Sequence, residues 1–140
     1  MIAHLRVRYE NWLQDEREGF RRFGLPERRL QLARKVRTGD LLLVYVSSRV
    51  SAFAGIRKAI SDGTIRARRP ESYDTAFPIE LRCQPELTLP KTKWVSFREM
   101  APHLLLVRKD DWRNVVRTSL RLLEPVDGRI IETAIRKACR

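Results

Sequence analysis

The feature that most constrains the fold is an ordered run of punctuation from Thr38 to Gly55. Thr38-Gly39-Asp40 closes a basic, helix-like segment, and Leu41-Leu42-Leu43-Val44-Tyr45-Val46 follows at once. Six apolar residues rich in β-formers suit a central strand. Ser47 and Ser48 end that run. After a short loop, residues 52–60 read as a second strand, and Gly55 inside it marks a bulge or a close backbone approach.

The flanking segments supply the rest of a small mixed fold. Residues 2–7 alternate, which predicts a first strand with one face buried. Tyr9, Trp12, Leu13, Glu16 and Phe20 fall at helical spacing, interrupted by Gly19 and by Gly24-Leu25-Pro26. Pro26-Glu27 suits the start of a second helix, with Leu30, Ala33 and Val36 on its inner face. Ser61-Asp62-Gly63 is a turn signal, and 64–70 reads as an edge strand or loop. Residues 77–83 alternate as a strand, continued in extended form to Pro90. Ser96, with Glu99 three residues on, predicts a short capped helix. Residues 104–107 read as a strand, and 125–138 as a helix capped by Asp127. About five or six short strands with flanking helices describe one α+β barrel domain spanning 1–140.

Charge narrows the partners. Lys and Arg total 29 against 17 Asp and Glu, a net charge of +12, and such a field attracts polyanions. Arginine supplies most of it, and guanidinium matches phosphate geometry and stacks on bases. Cys83 and Cys139 form no CxxC, and His4 and His103 are the only histidines, so no metal-ligand spacing is present. A reduced, cytoplasmic setting is expected, with no metal or organic cofactor. No run approaches the roughly 18 apolar residues of a membrane span. GxSxG, GxxxxGK[ST], HExxH and GxGxxG are all missing. Glu80 and Glu86 lie on an alternating strand and are expected to point to solvent, and Cys83 to be a buried, inert thiol.

Aromatic residues beside basic ones are the better lead, because unpaired bases are held by stacking plus edge hydrogen bonds. Phe53 is expected in the core. Phe23 and Trp112 sit next to turns, where pocket walls are built. Arg66, Arg68 and Arg69 follow a turn with no apolar partners to bury them, so they are expected to contact backbone phosphates.

The order of motifs resembles the EVE domains, small barrels of the PUA-like superfamily related to the YTH readers of methylated RNA. It is carried by Phe23-Gly24, Gly39-Asp40, Tyr45-Val46-Ser47, Ala54-Gly55-Ile56, Arg117-Thr118-Ser119-Leu120 and the helix after Asp127. Phe77-Pro78-Ile79 also resembles a Pro-bearing strand of that family. Two departures matter. Leu5 stands where many relatives place a Trp in the first strand, and Phe23 stands where they have the Trp before the loop glycine. The resemblance implies a PUA-like β-barrel that takes a modified or flipped base of RNA or DNA into an aromatic pocket. Phe23, Tyr45, Ser47, Ser48 and Trp112 are the implied pocket, and Arg117 and Ser119 join the phosphate or backbone contacts. Two rivals stand beside it: an RNA-processing enzyme on a related ASCH-like barrel, and a protein-interaction module of a defence or toxin–antitoxin system.

Overall fold

The computed structural model describes residues 1–47, 50–66, 78–108 and 116–140. Its strands are β1 (Ile2–Arg8), β2 (Arg22–Leu25), β3 (Leu41–Ser47), β4 (Ala52–Ala59), β5 (Ile65–Arg66), β6 (Ile79–Thr88), β7 (Val95–Ser96) and β8 (Leu120–Leu122). Around them lie α1 (Tyr9–Arg17), α2 (Leu30–Ala33), α3 (Phe97–Met100), α4 (Leu105–Arg108) and α5 (Pro125–Ala138). The strands form one curled sheet in the order β2-β6-β4-β3-β1-β8, with β5 added to β6 and β7 to β4. All neighbours are antiparallel except β1 and β3. No described helix is long and apolar enough to cross a membrane.

The apolar run of β3 is explained by burial on both faces. Leu42, Val44 and Val46 enter one core with Trp12, Phe20, Phe23 and Leu25, while Leu43 and Tyr45 enter another with Phe53, Phe97 and Ile131. A parallel pairing flanked by helices on both sides leaves no room for polar alternation. β1 shares this state: Ala3, His4, Leu5 and Val7 are all buried, so the expected single buried face is corrected to two. Gly55 does mark a close approach. A Cβ there would lie 2.3 Å from the Leu87 carbonyl oxygen on β6, so any side chain would push the two strands apart.

Four further expectations are corrected. Residues 22–25 form an edge strand, not merely an interruption, because Gly19 and Phe20 adopt positive φ and turn the chain out of α1. Residues 104–107, expected as a strand, begin α4. Asp127 does not cap its own helix. Its buried carboxylate instead accepts from the backbone N–H of Leu105 (2.7 Å) and Leu106 (3.0 Å), at the start of α4, where a negative charge is favoured. Glu80 is 2% exposed, facing Arg82 at 3.6 Å and Arg22 at 4.0 Å, whereas Glu86 is exposed as expected.

Candidate nucleic-acid interface

The curled sheet leaves a gap beside its terminal strand. β2 ends the sheet path, and among the described residues its only strand partner is β6. On the other side, β8 covers β1 along Ala3–Leu5, and the Arg6 N–H donates to the Ser119 carbonyl at 3.0 Å. Past Arg6, no described strand continues along that edge. α1 bridges the gap, and a cleft of about 50 Å³ opens there. β1 lines it with Arg6, Val7 and Arg8, α1 with Asn11 and Asp15, and β2 with Phe23 and Gly24; Ser119 completes the wall.

The register of β2 aims peptide groups into this cleft. The Cys83 N–H donates to the Arg21 carbonyl at 3.0 Å. With Arg22 opposite Arg82 and Gly24 opposite Glu80, alternation in an antiparallel ladder turns the N–H and C=O of Arg22 and Gly24 away from β6. The Arg22 carbonyl accepts from Arg57 Nη1 at 3.4 Å. The Gly24 peptide is therefore a donor and an acceptor facing the space that this residue lines.

Arg57 organises the inner wall. It is 2% exposed, in the middle of β4, and its Nη2 donates to Asp15 Oδ2 at 3.2 Å. Its guanidinium carbon also lies 4.9 Å from the centroid of Phe20 and 5.7 Å from that of Phe23. One buried cation thus ties α1, β2 and β4 together. Cys83 packs nearby as a buried thiol that donates to the Phe20 carbonyl at 3.3 Å, and burial pushes its pKa up, against the opposing influence of Arg57.

The mouth is cationic. Arg6 is half-buried and Arg8 is exposed. Burial, then the like charges of Arg8 and Arg28, draws the Arg6 guanidinium below its ordinary value. Its Nε donates to the Arg117 carbonyl at 3.0 Å. Crowded like charges of this kind are relieved by an anion.

A second, larger space lies on the other face of β3. A groove of about 700 Å³ is walled by Tyr45, Val50, Ser51, Ser96, Phe97, Arg98, Ala101 and Val107. Tyr45 is 6% exposed and packs on His4, Phe53 and Phe97, with ring centroids 5.4, 5.3 and 6.3 Å away. His4 is buried, its Nε2 3.2 Å from the Val116 carbonyl oxygen. Burial lowers its pKa to about 4, with a smaller lowering from Arg6 and an opposing effect from the Val116 carbonyl, so the ring is neutral near pH 7 and its Nε2–H donates.

The residues expected from sequence are therefore divided. Phe23 and Ser119 line the cleft, and the Arg117 carbonyl accepts from Arg6, one of its lining residues. Tyr45 borders the groove on the opposite face of β3, not the cleft that Phe23 lines. Ser47 is half-buried opposite Arg8, its hydroxyl donating to the Val7 carbonyl at 3.4 Å. Arg66 closes β5, paired with Ile79. Ser48, Arg68, Arg69 and Trp112 lie outside the described residues. Sequence reasoning missed Arg6, Arg8, Asn11, Asp15, Gly24 and Arg57. Two signals point to them: Asn11 and Asp15 stand four residues apart on α1, hence on one face, and Arg57 follows the apolar run 52–56 within β4.

The sequence matches no protein-family model and no curated protein. Solved structures share its fold. A hypothetical protein from Leishmania major superposes with a TM-score of 0.70 at 12% identity, over 99% of this chain and 96% of that one. A protein from Pseudomonas putida gives 0.68 at 16%, over 96% and 99%. The Mmi1 YTH domain gives 0.70 at 11%, over 98% and 75%, and the YTH domain-containing protein mmi1 in complex with RNA gives 0.67 at 11%, over 98% and 82%. At such identities the likeness establishes the fold: a YTH-like small α+β barrel with a curled sheet and flanking helices.

Proposed function

We propose that this chain is a nucleic-acid-binding module that takes one unpaired base, modified or flipped from its neighbours, into the cleft between β1, α1 and β2. The observation that carries this reading is the convergence, in one gap of the sheet, of a peptide edge, an aromatic ring and the arginines Arg6 and Arg8. The Gly24 peptide, the Asn11 amide and the Ser119 hydroxyl offer both donors and acceptors to a base edge. Phe23 provides the apolar wall. Arg6 and Arg8 at the mouth suit the phosphates of the strand, which position a ligand without reading its sequence. A free volume of about 50 Å³ holds a few water molecules, so an entering base displaces them and swings the long arginine side chains outward. The net charge of +12 supplies the attraction that brings a polyanion to this mouth. A solved neighbour described as a YTH protein in complex with RNA supports the same class of partner. From the sequence alone, Trp112 and Ser48 are proposed as further pocket residues, and Arg66, Arg68 and Arg69 as backbone contacts.

The test is a binding isotherm on short single-stranded RNA and DNA across a range of salt. Binding that weakens steeply with salt, and that Phe23→Leu reduces with the fold intact, is expected. No binding to either polymer at low salt rejects the proposal. Equal binding by wild type and Phe23→Leu retains a polyanion partner but removes the cleft as the base site.

A further inference from the structure

We infer that Asp15, held in place by Arg57, is the specificity-determining group of this cleft and selects a base that presents an amino donor on the edge entering it. The inference rests on the base-binding reading and narrows its ligand class.

The polar groups of the cleft are sorted by depth. Arg8 and Asn11 are exposed, and Arg6 and Ser119 are half-buried. Asp15 alone among the polar lining residues is buried, with its side chain 3% exposed. Cations therefore stand at the mouth and a carboxylate stands inside. A ligand matching that polarity carries its anion outward and an N–H donor inward, as a nucleotide does when its base bears an exocyclic amine.

The chemistry of Asp15 makes the choice one-sided. Arg57 donates to Oδ2 at 3.2 Å, and a carboxylate in such a pair has acceptor sites only. An amino group entering the cleft adds a donor to that set, as a carboxylate accepts from the cytosine amine in groove recognition. A keto edge at the same place sets oxygen against oxygen, with no proton between them. The groups able to donate to a keto oxygen, Arg6, Arg8, Asn11, Ser119 and the Gly24 N–H, are on less buried residues.

Arg57 acts as a positioning residue. The guanidinium that orients Asp15 also takes the Arg22 carbonyl and lies 5.7 Å from the Phe23 ring centre. The acceptor and the apolar wall are thus fixed to one another through a single buried group, and Arg57→Lys, which keeps the charge but loses the planar fork, loosens both.

Fluorescence anisotropy with labelled oligo(C) and oligo(U) tests the inference, since the two bases share a ring and differ along one edge: cytosine carries an exocyclic amine beside a bare N3, uracil a keto oxygen beside an N3–H. The expected result is wild-type affinity for oligo(C) at least about fivefold tighter than for oligo(U), the lower end of what one well-made base contact discriminates. Asp15→Asn, whose amide can donate, should reduce that preference to within about twofold, and Arg57→Lys should weaken it, each in a variant that melts cooperatively. Equal wild-type binding of the two oligomers, or tighter binding of oligo(U), overturns the inference whatever the variants do, and leaves the base-binding reading standing. A folded Asp15→Asn that keeps the full preference also overturns it. Failure of both oligomers to bind at low salt removes both readings together.

Discussion

The two faces of β3 carry spaces of opposite character. On one side, the cleft is small, lies where sheet edges fail to meet, and has a buried ion pair inside and two arginines at its mouth. On the other, the groove is more than ten times as large, yet it is built from Tyr45, Val50, Phe97, Ala101 and Val107 with Arg98 and two serines. Volume alone would choose the groove. For the proposed base site chemistry favours the cleft, because a nucleotide needs directional donors and acceptors at one end and cations at the other, and the gap beside β2 brings peptide groups that the β2–β6 ladder does not use together with Arg6 and Arg8. A curled sheet that stops short of closing creates such a place at its seam, whereas helices laid on a sheet face create apolar contact.

The comparison breaks most severely at Arg57. Arg57→Ala leaves Asp15 as a buried carboxylate without its guanidinium, and loss of one partner of a buried pair costs about 3–5 kcal/mol. Urea unfolding should show this as a lower midpoint. The double change Asp15→Leu with Arg57→Met should cost much less, because both charges leave the interior together, while abolishing any preference among bases. Similar losses for the single and double variants would mean that the cleft side is not organised by this pair.

On the groove side, the corresponding sensitivity is to pH. The His4 pKa falls from 6.5 to about 4 on folding, so the unfolded chain binds the proton more readily. The stability tied to neutral His4 is therefore complete above pH 6.5 and is lost as pH falls towards 4. The loss amounts to about 3 kcal/mol at most, at 1.36 kcal/mol per pKa unit. His4→Gln, which keeps a donor for the Val116 carbonyl, should remove this pH dependence, so that the wild-type-minus-variant difference falls as pH drops from 6.5 towards 4. Chemical denaturation at several pH values reads it, and parallel curves for the two proteins would show that His4 does not titrate on unfolding.

How much was legible in the sequence follows the same division. The central strand, Gly55 and the final helix were readable because each is a local pattern: a β-former run, a glycine within a strand, and apolar residues at helical spacing. The Ser96 cap was readable too, and its hydroxyl does accept from the Arg98 N–H at 3.2 Å. What was not readable depends on groups far apart in the chain. α4 owes its start to a carboxylate 21 or 22 residues downstream, and no window around Leu105 contains that cap. Phe23 and Tyr45 were placed in one pocket because both end a local segment, yet β3 presents Tyr45 to the core opposite the one that holds Phe23. Ser119 was reached through motif order alone. Asn11 and Asp15 were passed over because a polar helix face reads as solvated until the sheet that it crosses is known.

Aromatic substitutions sharpen the comparison at smaller scale. Phe23→Leu keeps apolar volume in the cleft wall but removes the π-face, and stacking is worth roughly 1–3 kcal/mol per base. Affinity for single-stranded RNA should fall about fivefold or more, with a near-native far-UV spectrum. Tyr45→Phe on the groove side should change affinity less than twofold. If Tyr45→Phe is the more damaging, the base enters from the groove and the cleft assignment fails.

The smallest effect concerns the slope of binding against salt, and it separates the two rims by charge alone. Each phosphate neutralised on a single strand contributes roughly 0.7 to the log–log slope. Arg6→Gln with Arg8→Gln should therefore flatten the slope by about 1.4 if both arginines meet phosphates, and should weaken all sequences alike, because backbone contacts carry no base information. Arg98→Gln removes one positive charge from the groove and changes the net charge of +12 by half as much. It is exposed, so its loss should not disturb folding. If attraction were a matter of total charge, Arg98→Gln would flatten the slope by half the amount of the double variant. A path that runs over the cleft mouth instead leaves the Arg98→Gln slope parallel to wild type. Isotherms at four or so salt concentrations decide between a localised path and a diffuse cationic surface.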